Sequence, residues 1–89
     1  MSKEVVLFKS EERKERQSLA AFLHQLADKI AQGEVALHRG SEQISLRLPG
    51  SVVLEIKVEE EAERGKPKRS LEIEIEWVEG EEPGGVTLG

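Results

Sequence analysis

The segment SLEIEIEW, residues 70–77, alternates strictly between apolar and acidic side chains. Its apolar positions are Leu71, Ile73, Ile75 and Trp77, and its acidic positions are Glu72, Glu74 and Glu76. Successive side chains of a β-strand point to opposite faces, so a period of two places one kind of residue on each face. The segment therefore predicts a strand with one dry face and one wet face, which ends at the only tryptophan of the chain.

Two different periods precede this strand. Residues 4–9, EVVLFK, are rich in β-branched and aromatic residues and predict a first strand. A helical stripe then follows at a spacing of three and four residues: Leu19, Phe22, Leu23, Leu26 and Ile30. Gly33 comes directly after this stripe and suits a left-handed helix end. The helix could begin after Ser10 or near Glu15, and the later start is favoured because no apolar residue lies between Ser10 and Leu19.

After Gly33 the period of two returns and continues through four strands. The predicted turns are Arg39–Gly40–Ser41, Pro49–Gly50 and a loop of nine residues, 61–69. The element order is therefore β-α-β-β-β-β. The sequence predicts a two-layer α+β fold, with a mostly antiparallel sheet and one helix packed on one face. We expect residues 1–78 to form a single domain and residues 79–89, which contain four glycines, to form a flexible tail.

The predicted core lies between the helix and the dry face of the sheet. Its main members are Trp77, Ile73, Ile75, Phe22 and Leu26, with the indole closing one end and its N–H reaching a partner at the rim. The glutamates of the last strand then face water, where Lys57 and Arg47 on neighbouring strands reduce their repulsion. The alternative interpretation is a cation site formed by these three glutamates.

Four segments in this order resemble the amphi-Trp domain family: EVVLFKS, SLAAFLHQLADKIAQGEV, SVVLEIKVEEE and SLEIEIEW. The family is named for an amphipathic strand that ends in tryptophan, and the resemblance covers about residues 3–78. Family members usually carry Ser or Thr where the helix begins, whereas ERQ stands here. The resemblance implies a small bacterial or archaeal α+β protein, and it implies no particular activity.

The sequence offers little catalytic chemistry. It has no cysteine, so neither disulfides nor cysteine-ligated metals are expected, and His24 and His38 have no partner at ligand spacing. No leader and no long apolar run is visible, which leads us to expect a cytoplasmic protein without a membrane contact. We expect no enzyme activity, no metal and no cofactor.

Two features could serve a partner. A basic cluster, Arg64, Lys66, Lys68 and Arg69, lies in the predicted loop, while the net charge of the whole chain is −5. This cluster could meet nucleic acid, but it lacks aromatic residues for base stacking, so nucleic acid is the alternative hypothesis. The first predicted strand is apolar on both sides, so Val5, Leu7 and Val53 could form a patch on the wet face. The sequence therefore favours a protein-interaction or structural module that binds a protein or its own copy as a homodimer.

Overall fold

The structure is a computed structural model, and it describes residues 3–80. The chain divides into two compact units, Met1–Leu48 and Pro49–Gly89. The first contains helix α1 (Arg16–Gln32), strand β1 (Glu34–Arg39) and strand β2 (Glu42–Arg47). The second contains strands β3 (Val53–Glu63) and β4 (Lys66–Glu76). The α+β class and antiparallel strand pairing are confirmed, with the strands forming two separate two-stranded sheets.

Helix α1 has the predicted late start and the predicted glycine end. Glu15 is its extended N-terminal cap residue, and the Leu19 N–H donates to the Glu15 carbonyl at 2.9 Å. Gly33 has a φ of 87°, and its N–H donates to the carbonyls of Lys29 and Ile30. A side chain at this φ would be strained, so glycine ends the helix at low cost.

The core of the first unit lies between α1 and the β1–β2 hairpin. In the hairpin Val35 pairs with Leu46 and Leu37 pairs with Ile44, so these four aliphatic side chains share one face. The helix contacts β1, and Val35 is only 6% exposed. The predicted packing of one helix on one face of an antiparallel sheet is therefore confirmed in this unit.

The predicted first strand is wrong, because residues 4–9 form no strand in the structure. Val5, Val6 and Leu7 are each 72–76% exposed, so they show none of the alternation of a half-buried strand. Only Phe8 is half-buried, and the Arg39 guanidinium holds the following residue by donating to the Lys9 carbonyl at 3.1 Å. The composition is typical of a strand, but β-propensity depends on the pairing that a neighbour provides.

The β3–β4 hairpin is longer than predicted, and its loop is shorter. The strands pair along their full length, from Val53 opposite Glu76 to Glu63 opposite Lys66. Only Arg64 and Gly65 remain as the turn, with φ values of 45° and 79°. Positive φ at both central residues is what a tight type I′ hairpin turn requires. The predicted nine-residue loop is wrong because cross-strand pairing continues to the tip.

The predicted core also needs correction. Ile73 and Phe22 are 56% and 44% exposed, while Ile75, Trp77 and Leu26 are half-buried. The physical reason in the second unit is that β3 and β4 form a two-stranded sheet, and residues 49–80 supply no other helix or strand to cover it. The predicted flexible tail falls mostly on residues 81–89, which lie outside the described part of the chain.

Candidate interaction surfaces

One side of the β3–β4 hairpin is a continuous strip of aliphatic side chains, which we call the apolar face. Its six members pair across the strands as Leu54 with Ile75, Ile56 with Ile73 and Val58 with Leu71. Apart from the half-buried Ile75, each member is between 56% and 70% exposed. Scattered exposed aliphatic residues are ordinary, but a contiguous strip of this kind marks an interaction surface.

Polar groups border both ends of the apolar face. Towards the turn, the Arg69 Nε donates to the Glu60 Oε1 at 2.7 Å, and both residues lie on the same side as the aliphatic strip. At the other end, the Trp77 Nε1–H donates to the Glu79 carboxylate at 3.3 Å. The indole is half-buried, so the prediction that it reaches a polar partner is confirmed. The apolar face therefore has a defined length, with a neutral ion pair at its turn end and the Glu79 carboxylate at its other end.

The opposite side of the hairpin is strongly acidic, and we call it the acidic face. Between residues 53–61 and 68–76 it carries six glutamates and two lysines, a formal charge of −4. Lys57 bridges Glu59 at 3.2 Å and Glu72 at 3.3 Å. Hydrogen bonds to Glu59 and then to Glu72 raise the pKa of Lys57 above its usual 10.5. The predicted relief of Glu72 by a neighbouring cation is confirmed for Lys57, whereas Arg47 belongs to the other sheet.

Three other glutamates of this face converge near the Trp77 end. Carboxylate oxygens of Glu55, Glu74 and Glu76 all lie within 4.8 Å of one another, and all three residues are exposed. Glu55 stands directly opposite Glu74, so the cross-strand pair has like charges here. The group that converges differs from the predicted trio, because Glu72 is paired with Lys57 and Glu55 takes its place. Exposed carboxylates in a row are a common feature of solvated strands.

The basic cluster at the hairpin tip is distributed over two faces. Arg69 is paired with Glu60, and Lys68 stands opposite Glu61. Arg64 occupies the turn itself, and Lys66 is the first residue of β4. The four cations therefore present no single basic patch, because they are divided between two faces and each of the three cations on β4 stands opposite a glutamate of β3.

The three residues of the predicted patch, Val5, Leu7 and Val53, do not lie on one sheet face. Val5 and Leu7 lie in the irregular segment of the first unit, and Val53 is the first residue of β3 in the second. All three are exposed, and Val53 lies on the acidic face opposite Glu76. The structure therefore removes the double-sided first strand as the basis for a homodimer.

The comparison with protein families agrees with the strand pattern. The model of the Amphi-Trp domain matches residues 1–88. The chain belongs to the Amphi-Trp domain family. Neither a curated protein nor a solved structure matches this Amphi-Trp domain. Among residues 3–80 there is no helix long and apolar enough to cross a membrane.

The first unit of this Amphi-Trp domain contains an open cleft of about 670 Å³. Phe8, Leu19, Phe22 and Leu37 form its apolar wall, and an ion pair between Glu12 and Lys14 (2.8 Å) lies at its rim. The hydrogen bond and the charge of Lys14 lower the pKa of Glu12 below its usual 4.5.

The two histidines of this Amphi-Trp domain lie on different elements of the first unit. His24 is on α1 and His38 is on β1, where it borders the cleft. Both residues are exposed. Both histidines therefore lie at the surface of the first unit.

Sequence reasoning assigned the aliphatic residues of the apolar face to the core and so missed the face as a surface. Alternation alone gives the same pattern for a strand covered by a helix and for a strand left open. A usable signal is the number of apolar surfaces that need a cover. The sequence has one helix with an apolar stripe but two hairpins, and each hairpin has its own apolar side.

Proposed function

We propose that this Amphi-Trp protein is a non-enzymatic interaction module whose contact surface is the apolar face of the β3–β4 hairpin. The observation that carries the proposal is the exposure of five of its six aliphatic side chains, 56–70% each. Leaving that much contiguous hydrocarbon in water is unfavourable, by about 25 cal/mol for each Å². A partner that covers the strip would recover this free energy.

The length of the hairpin strengthens the proposal. Two strands of 11 residues pair along their whole length, yet an isolated two-stranded hairpin is at best marginally stable in water. A long sheet becomes stable when another layer covers its apolar side. In the first unit α1 packs on β1, whereas residues 49–80 contain no such layer for β3 and β4.

The composition of the surface favours a protein partner or a second copy. The acidic face would repel the phosphates of nucleic acid, and the tip cations Arg69 and Lys68 lie beside or opposite glutamates. Aliphatic side chains also offer no stacking platform for bases. A cytoplasmic location belongs to the same proposal, because a chain without cysteine gains nothing from the oxidising compartments in which disulfides form.

Site-specific photo-crosslinking in cell extract tests the proposal. A benzophenone amino acid replaces Val58, which lies on the apolar face, and in a matched chain it replaces Val53, which lies on the acidic face. Both valines are on β3 and are exposed to a similar extent, 70% and 61%. The proposal predicts discrete protein adducts, with self or another protein, from position 58 and none from position 53. Equal labelling from both positions, or none from either, contradicts it.

The nucleic-acid alternative has its own test. Lys66→Glu combined with Lys68→Glu reverses two charges at the tip, and a salt titration follows binding to DNA and RNA. We expect no binding at about 50 mM salt, where phosphate contacts are strong. Binding that the double variant abolishes would establish the tip as a nucleic-acid site.

A further inference from the structure

We infer that the partner of the apolar face is a second copy of this chain, whose own apolar face packs against it to form a symmetric dimer. The inference rests on the proposed function and names its partner. Two-fold dimers use the same patch on both subunits, so the patch must be complementary to itself. The charge distribution of the hairpin is compatible with this condition.

The charge distribution selects the side of the hairpin that can meet its own copy. The acidic face carries −4, so two copies of it would repel each other at close range. The other side carries one acid and one base, Glu60 and Arg69, which already form an ion pair. Two apolar faces therefore repel each other much less than two acidic faces would.

The dimensions set the strength of the dimer. The aliphatic strip spans five residues of each strand, 54–58 and 71–75, so at about 3.3 Å per residue, with two strands about 4.8 Å apart, each face has a footprint of roughly 16 by 10 Å. Two such faces bury an area below that of specific stable interfaces, in the range where association is weak and transient. The dimer should therefore have a dissociation constant in the micromolar range or weaker, and it should depend on protein concentration.

The exposed apolar face gains stability from a covering layer, and this favours a second copy over an unrelated protein as the partner. A hairpin that is marginal alone gains stability from a layer that covers its apolar side. A second copy is present wherever the chain itself is present. Stacked two-stranded sheets about 10 Å apart would also give the strip the sandwich packing that β-sheets ordinarily use.

Analytical ultracentrifugation of the purified full chain tests this inference with matched valine variants. Wild type should shift from monomer to dimer as its concentration rises. Val58→Asp should raise the dissociation constant about 100-fold or more, because the symmetry places a new carboxylate in the interface twice. Val53→Asp introduces the same charge on the acidic face of the same strand and should leave the constant within about threefold.

A second measurement separates failure of this inference from failure of the proposed function. Binding of a hydrophobic dye reports whether the apolar face is open in wild type and in Val58→Asp. One outcome is a wild type that stays monomeric at every concentration and binds the dye, with dye binding lost in Val58→Asp. This outcome overturns the dimer and leaves the apolar face available to another protein. A monomer without dye binding overturns both proposals. Circular dichroism of Val58→Asp checks that this variant is folded. A conservative Val58→Thr variant should weaken the dimer to a smaller extent.

Discussion

Truncation of Val58 to alanine should cost little stability at low protein concentration and three times as much at high concentration. The change removes two methyl-sized groups, which are worth about 0.8 kcal/mol each when fully buried, or about 1.6 kcal/mol together. Val58 is 70% exposed in the single chain, so only about a third of this value, roughly 0.5 kcal/mol, is at stake there. In the dimer the same side chain is covered, and the loss approaches the full 1.6 kcal/mol.

Urea unfolding at two protein concentrations measures this difference. The fluorescence of Trp77 follows the second unit, since the indole lies directly after β4. With an m value of about 1 kcal/mol/M, the midpoint of Val58→Ala should fall by roughly 0.5 M urea at about 5 μM protein. At about 500 μM the fall should approach 1.6 M, because association stabilises the folded state by mass action.

Val35→Ala is the control for this experiment. Val35 is 6% exposed beneath α1, so its truncation should cost about 1.6 kcal/mol or more at every concentration. Far-UV circular dichroism at the helix band follows the unfolding of the first unit, which contains Val35 and α1. If Val58→Ala costs the full amount even at the lowest concentration, the apolar face is already covered in the single chain and the reasoning is refuted.

Three further predictions concern local chemistry. Arg64→Asn should raise the free energy of unfolding by about 0.5–1 kcal/mol, because Arg64 has a φ of 45° and asparagine tolerates that region better; thermal unfolding checks it. Gly33→Ala should lower stability by about 1–2 kcal/mol in the same assay, since its φ of 87° strains any side chain. The ion pairs of Lys57 should stabilise the hairpin fully below pH 10.5, and this stabilisation should be lost as the pH rises through the higher pKa of Lys57 in the folded state. NMR titration should show that the pKa of Lys57 falls when Glu59→Gln and Glu72→Gln are combined.

The elements that sequence reasoning placed well are those in which local signals agree. The stripe from Leu19 to Ile30 and the glycine after it define α1, because helical spacing and a left-handed end are properties of the segment itself. The alternation in SLEIEIEW defines β4 for the same reason. Its pairing with β3 also follows, since two amphipathic strands close in sequence pair most simply as a hairpin.

The elements that sequence reasoning placed wrongly depend on neighbours. Residues 4–9 have the composition of a strand, but a strand exists only where another strand offers its hydrogen-bonding edge. The tip of the β3–β4 hairpin was predicted as a loop because Gly65 and Pro67 are turn residues. Pro67 is instead accommodated within β4, where it stands opposite Ala62 on a strand with a free edge.

The candidate surface was the least predictable feature. Alternation predicted that Leu71, Ile73 and Ile75 share one face of the last strand, and the register places them together opposite the aliphatic residues of β3. It gave no information on what covers that face, because covering is a property of the tertiary and quaternary arrangement. The charges of the two faces are more informative, since the register gives −4 on one side and the Glu60–Arg69 ion pair on the other.

The most direct test of the central claim is the solvent accessibility of the Ile56 and Ile73 methyl groups, measured by NMR with a soluble paramagnetic agent. These residues pair at the middle of the apolar face and are 62% and 56% exposed. An apolar face that is open in the single chain and covered in the dimer predicts strong relaxation of both methyl groups in dilute protein and clear protection as the concentration rises into the dimer range. Protection that is complete in dilute, monomeric protein would contradict this prediction.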